Sequence, residues 1–196
     1  GVTPRLELVR GTGIKTNRGI LVDQHMETTV PGVYACGDVA EAYDFIYGGN
    51  RVIAIWPNAY FGGRIAGFNM AGRAQVYDGC TAMNAFSYFN LAFTSAGMFD
   101  PDPREQYEVA AATSGESYRK VVLKDNVLVG FVLMGDIQQS GVLYHLMRDR
   151  TDVREFKDKL LKDSFGMVSL HRALREAWIK AESGEARRAR EVVSRR

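Results

Sequence analysis

Apolar positions along the chain change their period twice. Near the start they come as short continuous runs: "GILVD" (Gly19–Asp23) after the turn-like "TNRG", and "GVYAC" (Gly32–Cys36) behind Pro31. Unbroken apolar runs of this length predict strands covered on both faces, of the parallel-sheet kind. Beyond a loop, "WPNAYFGGRIAGFNMAG" carries helix punctuation. Pro57 suits the first turn, where its missing N–H costs nothing, and Gly72 suits the position just past the end. Ala59, Gly62, Gly63, Ala66, Gly67 and Met70 give this helix a face of mostly small residues. Each interior glycine costs about 1 kcal/mol of helix propensity. Their clustering predicts that another backbone or a flat ligand comes very close.

From about residue 80 the pattern becomes aromatic and β-branched. "AFSYFNLAFTSAG", "YEVAAAT" (Tyr107–Thr113), "YRKVVLKD" (Tyr118–Asp125) and "VLVGFVLMG" (Val127–Gly135) predict strands, and Asp125-Asn126 is a two-residue hairpin signal. Together these form an antiparallel meander. Three helices are expected after it. The first starts near Asp136 and runs through Ile137, Val142, Leu146 and Met147. The second has Asp152 as N-cap with Glu155 three residues on, and apolar Val153, Phe156, Leu160 and Leu161. The third, capped by Ser169, repeats Leu170, Ala173, Leu174, Ala177, Trp178 and Ala181 at helical spacing. A face that apolar needs a partner surface, in this chain or in another subunit. The expected class is α+β. A first domain covers 1–76, an antiparallel domain 77–150 and a helical extension 151–196, with the first boundary near "VYDGCT" (Val76–Thr81).

Composition narrows the field. With 196 residues, 46% of them hydrophobic and 24% charged, the chain can bury one ordinary core or two small ones. A formal net charge of +2 gives no field that would point to nucleic acid or membrane, and no apolar run is long enough to cross a bilayer. Arg187, Arg188, Arg190, Arg195 and Arg196 concentrate at the end and read as a solvated tail, with nucleic-acid contact as the competing reading. Cys36 and Cys80 stand alone, so neither a disulfide framework nor a metal site is expected, and a reducing, cytoplasmic compartment fits. The chain opens "GVTPRLELV" without Met, as a processed chain or a fragment would.

Most catalytic signatures are absent. "GTGIKT" (Gly11–Thr16) lacks the third glycine of a dinucleotide loop. The histidines His25, His145 and His171 are scattered, and there is no nucleophile elbow or lysine-bearing phosphate loop. Asp38 differs because of its place. It follows "VYAC" by one residue, after Gly37, which lets a ligand approach the backbone closely. Ligands of open α/β sheets bind outside the carboxyl ends of strands. A carboxylate there can accept hydrogen bonds from a polyol or cap the helix that follows, and the spacing leaves both readings open.

"TNRGILVDQHMETTVPGVYACGDVAE" resembles the FAD-dependent pyridine nucleotide–disulfide oxidoreductase family, whose pattern reads "GxIxVDxxxxTxxPxIYAxGDVA". Val22-Asp23, Thr28 or Thr29, and Gly37-Asp38 all match its spacing. The resemblance implies that Asp38 bonds the ribityl chain of FAD, with Gly37 allowing the approach and Val39 beside it. It also implies that the helix opened by Trp56, Pro57, Asn58 and Ala59 points its N-terminus at the flavin pyrimidine, where its positive end would favour the charge of reduced flavin. "GVTP" resembles the segment by which such chains return from the NAD(P)H domain, and the meander resembles the family's interface or dimerisation domain. "YRKVVLKDNVLVGFVLMGD" is similar to the rubredoxin-reductase and nitrite-reductase-like branch. The similarity runs to about residue 148.

The family's N-terminal FAD fingerprint, its NAD(P)H-binding fold, a redox-active cysteine pair and the His-xxxx-Glu acid/base pair are not in this sequence. The expectation is therefore the latter part of an FAD-dependent oxidoreductase. It would contribute part of the flavin site and a homodimer contact, but no catalytic residue, no metal, no membrane contact and no nucleic-acid contact. The parent would pass a hydride from NAD(P)H to FAD and electrons on to rubredoxin, nitrite-reductase centres, oxygen or a disulfide. Alone, this segment should not turn over, because hydride transfer needs the nicotinamide stacked on the flavin. The competing reading is a non-catalytic assembly module without cofactor.

Overall fold

The computed structural model describes residues 1–172, 174–176 and 178–179, so Ala173, Ala177, Ala181 and the terminal arginines lie outside the described residues. Contacts divide the chain into two units. One is Gly1–Phe86 with Thr94–Asp100; the other is Ser87–Phe93 with the chain from Pro101 onward. The architecture is α+β, as expected.

In the first unit β1 (Ile20–Leu21) pairs in parallel with β2 (Ala40–Asp44), which pairs antiparallel with β3 (Gly49–Val52). Helix α1 (Trp56–Met70) follows. "GILVD" thus supplies a strand, but "GVYAC" does not. Pro31 brings no N–H and Gly32 adopts φ +78°, so the segment turns back on its own chain. Val33 donates to the Val30 carbonyl at 3.2 Å, and Ala35 to that of Met26 at 3.1 Å. A lone bridge between Glu27 and Tyr34 completes this fold-back.

The strand beside β1 is instead "AEAYD", which the sequence pattern hides because it holds two acids. Both are buried and paired. Glu41 is 4% exposed and accepts from Asn17 Nδ2 at 3.1 Å and from the backbone N–H groups of Arg18 and Gly19 at 3.0 Å each. Asp44, with no exposed surface, accepts from the Ile46 backbone N–H at 2.9 Å and from Arg51 at 3.2 Å. Around these pins lies a small-residue core of Ala35, Ala40, Ala42 and Ala66 with Ile20, Val22, Met26 and Ile53.

The second sheet runs in the order β4-β5-β8-β7-β6. Its strands are β4 (Met83–Tyr88), β5 (Leu91–Gly97), β6 (Glu108–Ser114), β7 (Ser117–Lys124) and β8 (Val127–Met134), close to the expected spans. Asp125 and Asn126 take φ +52° and +61°, the doubly left-handed turn that matches strand twist. Helix α2 (Ser140–Arg148) packs on β8 through buried Leu143, Leu146 and Met147. It begins four residues after Asp136, whose carboxylate accepts from the backbone N–H of Gln138 at 3.1 Å and the guanidinium of Arg119 at 3.0 Å.

The second expected helix does not form. Asp152 bridges to Val127, and Val153 donates to the Asn126 carbonyl at 2.9 Å, which keeps the start extended. Tight turns follow at Phe156, Lys159, Lys162 and Phe165, each N–H donating three residues back, with a 3-10 turn at Lys157–Lys159. These successive turns still bury Val153, Phe156, Leu160 and Phe165, so the apolar positions are satisfied without an α-helix.

The third helix starts later than its expected Ser169 cap. Met167–Ser169 forms a 3-10 turn, and helical residues appear at 172, 174–176 and 178–179. Leu170 is buried, and the Trp178 ring lies 5.0 Å from that of His145 on α2, so part of this face finds its partner within the chain.

Candidate functional site

Gly37–Val39 forms a 3-10 turn packed against α1. Gly37 takes φ +75°, a conformation that L side chains rarely adopt. A Cβ built there would stand 3.8 Å from the Ala59 Cβ, an ordinary contact, so backbone geometry rather than crowding calls for glycine. Asp38 is exposed on this turn and Val39 half-buried. The turn leads into β2, so Asp38 stands before a strand, not beyond the carboxyl end of one. The helix-cap reading also fails: α1 begins eighteen residues later, behind Ile55, with no side-chain cap.

Residues of both expected site segments therefore meet, the Gly37–Val39 turn and the first turn of α1. Within that helix turn Pro57 has no N–H to give, and the amides of Trp56 and Asn58 precede the first possible intrahelical acceptor. The side chains differ in role. Trp56 is 77% exposed and stacks on Tyr60 with ring centroids 5.5 Å apart at 14°. Pro57 and Ala59 are half-buried. Asn58 is buried and occupied internally: its amide donates to the Ile53 carbonyl at 2.8 Å and accepts from the Tyr77 hydroxyl. Asn58 can therefore offer a ligand only its backbone.

The small-residue face of α1 is closed by side chains of its own unit. A Cβ on Gly62 would lie 3.1 Å from Met26 Cε and 3.6 Å from Cys36 Cβ, and one on Gly63 3.7 Å from Cys36 Sγ. Gly67 has nothing within 4 Å of that position. At Gly62 and Gly63 the close neighbours are thus the side chains of Met26 and Cys36, not another backbone. Among the described residues neither Cys36 nor Cys80 is in a disulfide. Among the described residues no group of three His, Cys, Asp or Glu could hold a metal ion, and no helix is long and apolar enough to cross a membrane.

Sequence reasoning missed Glu41, Asp44 and Tyr77, which fix the site from behind. Glu41 stands three residues beyond Asp38 and anchors the strand that carries the turn, while Tyr77 holds Asn58. A carboxylate inside an alanine-rich run was the available signal, since buried acids persist only where donors meet them.

Residues 1–86 match the model for pyridine nucleotide-disulphide oxidoreductase, and residues 83–151 match that for the rubredoxin NAD+ reductase C-terminal domain. The chain belongs to the pyridine nucleotide-disulphide oxidoreductase family, whose members are FAD-dependent. It is 30% identical, over 82% of its length, to the NADH-dependent phenylglyoxylate dehydrogenase subunit epsilon of Aromatoleum evansii, and spans 39% of that relative. It is 32% identical, over 70% of its length, to NADH-rubredoxin oxidoreductase of Clostridium acetobutylicum, spanning 34% of it. The crystal structure of NADH:rubredoxin oxidoreductase from Clostridium acetobutylicum superposes with a TM-score of 0.63 at 27% identity, covering 80% of this chain and 39% of that one. The chain thus spans about two fifths or less of these relatives.

Proposed function

We propose that this chain forms part of the flavin site and the subunit contact of an FAD-dependent NAD(P)H oxidoreductase. Asp38 would accept hydrogen bonds from the ribityl hydroxyls, Gly37 and Val39 would shape the turn beneath them, and the Trp56–Ala59 start of α1 would face the flavin ring. When bound, FAD would supply the two-electron chemistry; the residues here bind and orient it. Free amides at the helix start favour negative charge, which suits a reduced flavin. The observation that carries this reading is the packing of the Gly37–Val39 turn on α1. That packing brings the exposed carboxylate and the uncapped helix start into one neighbourhood.

The parent activity follows the same reading: a hydride from NAD(P)H to FAD, then electrons to an acceptor of the rubredoxin class, in the cytoplasm. The division of labour goes with it, residues 1–76 serving the flavin and the antiparallel region serving the subunit contact. FAD titrated into the 196-residue chain, followed by flavin fluorescence, tests the site. Asp38→Ala should weaken binding at least about tenfold, the value of a hydrogen bond to a charged group. Binding indifferent to Asp38 would remove the reading, and no binding at all would favour a cofactor-free assembly module for this chain.

A further inference from the structure

Strand β6 lies at one edge of the second sheet, so among the described residues one of its sides is left without a strand neighbour. It pairs with β7 along all seven residues without a slip, from Glu108↔Leu123 to Ser114↔Ser117. Gly115 and Glu116 join the two strands, with Gly115 at φ +57°. In a two-residue hairpin the pair closing the turn exchanges both its hydrogen bonds, and such pairs alternate along the ladder. Ser114, Ala112, Ala110 and Glu108 therefore bond inward to β7. Val109, Ala111 and Thr113 turn their N–H and C=O groups outward.

A straight, unpaired edge is a hazard that proteins usually blunt with lysine, proline or a bulge. β6 has none of these: "EVAAATS" carries one charge, and Glu108 is already paired with Lys157 Nζ at 3.0 Å. The residues on its outward positions are small or β-branched and exposed.

We infer that β6 pairs antiparallel with β6 of a second copy of this chain, about a two-fold axis through Ala111. Parity selects this axis. It sets Val109 against Thr113 of the second copy and Ala111 against itself, three outward pairs that each exchange two hydrogen bonds. Moving the axis to Ala110 or Ala112 keeps only two outward pairs within the strand. Charges agree as well, since Glu108 then faces Ser114 and Glu116 faces Gln106, so no like charges oppose each other. The inference rests on the proposed reading of this region as a subunit contact and names the surface.

Light scattering and sedimentation of the 196-residue chain test it, together with amide exchange on the unaltered protein. A dimer is expected whose Val109, Ala111 and Thr113 amides exchange at least about tenfold more slowly in concentrated than in dilute solution. Ala111→Lys opposes two ammonium groups, and Ala111→Pro removes the central outward donor while sparing the inner ladder. Each should raise the dimer dissociation constant at least about tenfold, with circular dichroism unchanged. Ala85→Lys, on the opposite edge strand β4, should leave the dimer intact. Dimers that survive both Ala111 changes, dimers that break at Ala85, or concentration-independent exchange would overturn this surface while leaving the subunit-contact reading standing. A monomeric or polydisperse parent chain would overturn both.

Discussion

The two units of this chain solve the folding problem with different materials. The second has strands of seven or eight residues and a core of large apolar side chains: Leu128, Phe131, Leu133, Leu143, Leu146 and Phe165 are all buried. Its deeply buried Arg119 is held by Asp136 at 3.0 Å and Asp163 at 3.2 Å. The three-stranded sheet of the first unit has strands of two, five and four residues, and its core is rich in alanine. Dispersion and burial scale with apolar area, so an alanine core yields less than a leucine core. What fixes the first unit is a set of buried polar side chains, Glu41, Asp44 and Asn58, each bonded to backbone donors or acceptors. Regular packing tolerates variation in loops, whereas polar pinning shapes loops directly. The turn that carries Asp38 leads straight into β2, which bears two of these groups, Glu41 and Asp44, so the proposed site sits in the unit held in this way.

This contrast is sharpest at Glu41. Glu41→Ala would orphan the Asn17 amide and the Arg18 and Gly19 backbone N–H groups. Leaving buried donors unmade costs about 1–3 kcal/mol each, so a loss of about 3 kcal/mol is expected after partial hydration. Hydrogen exchange read residue by residue checks it. Protection should fall through β1 and β2 and stay unchanged in β7 and β8. An equal loss in both regions, or a loss below about 1 kcal/mol, would break the distinction between the two kinds of stabilisation.

A smaller effect probes the regular unit at its hairpin. Asn126 sits at φ +61°, which a β-branched residue adopts only with strain. Asn126→Val should destabilise the second unit by roughly 1–2 kcal/mol, and Asn126→Gly should not. Urea melts of the two variants compare them directly. Equal stability would mean that the turn, unlike the strand ladder, contributes nothing to register.

The same division explains what was legible in the sequence. The meander could be read because its segments are rich in aromatic and β-branched residues and Asp125-Asn126 is a hairpin signal, both local properties. Helix α1 was readable from Pro57 and Gly72. Strand β2 was not, because Glu41 and Asp44 become compatible with burial only through donors supplied by residues 17–19 and 46–51. "GVYAC" misled for the converse reason: its residues suit a strand, but Pro31 and Gly32 just before them turn the chain back. The Gly37-Asp38 pair stood out as a motif, while its true setting, a turn before β2 and beside α1, required those non-local bonds.

The smallest test concerns Asp152, where a capping-box pattern meets a chain that stays extended. A helix N-cap would hold its carboxylate with amides two or three residues on and with the helix dipole behind them. Here the donors come from Arg154 alone, first its backbone N–H at 2.9 Å and then its side chain. The backbone N–H of Arg154 is the main cause holding the Asp152 carboxyl below its ordinary range, desolvation works against it, and the Arg154 side chain adds to the lowering. Because the folded value is depressed, the group's contribution to stability is present above the ordinary carboxylate range and is lost as pH falls through the lowered value. Arg154→Ala removes the side chain but keeps the amide, so the carboxyl should remain depressed, by less than before. Carbon-detected NMR titration of Asp152 in both proteins reads this. A return to the ordinary value in Arg154→Ala would mean that the guanidinium, not the turn, sets the charge at this corner of the regular unit.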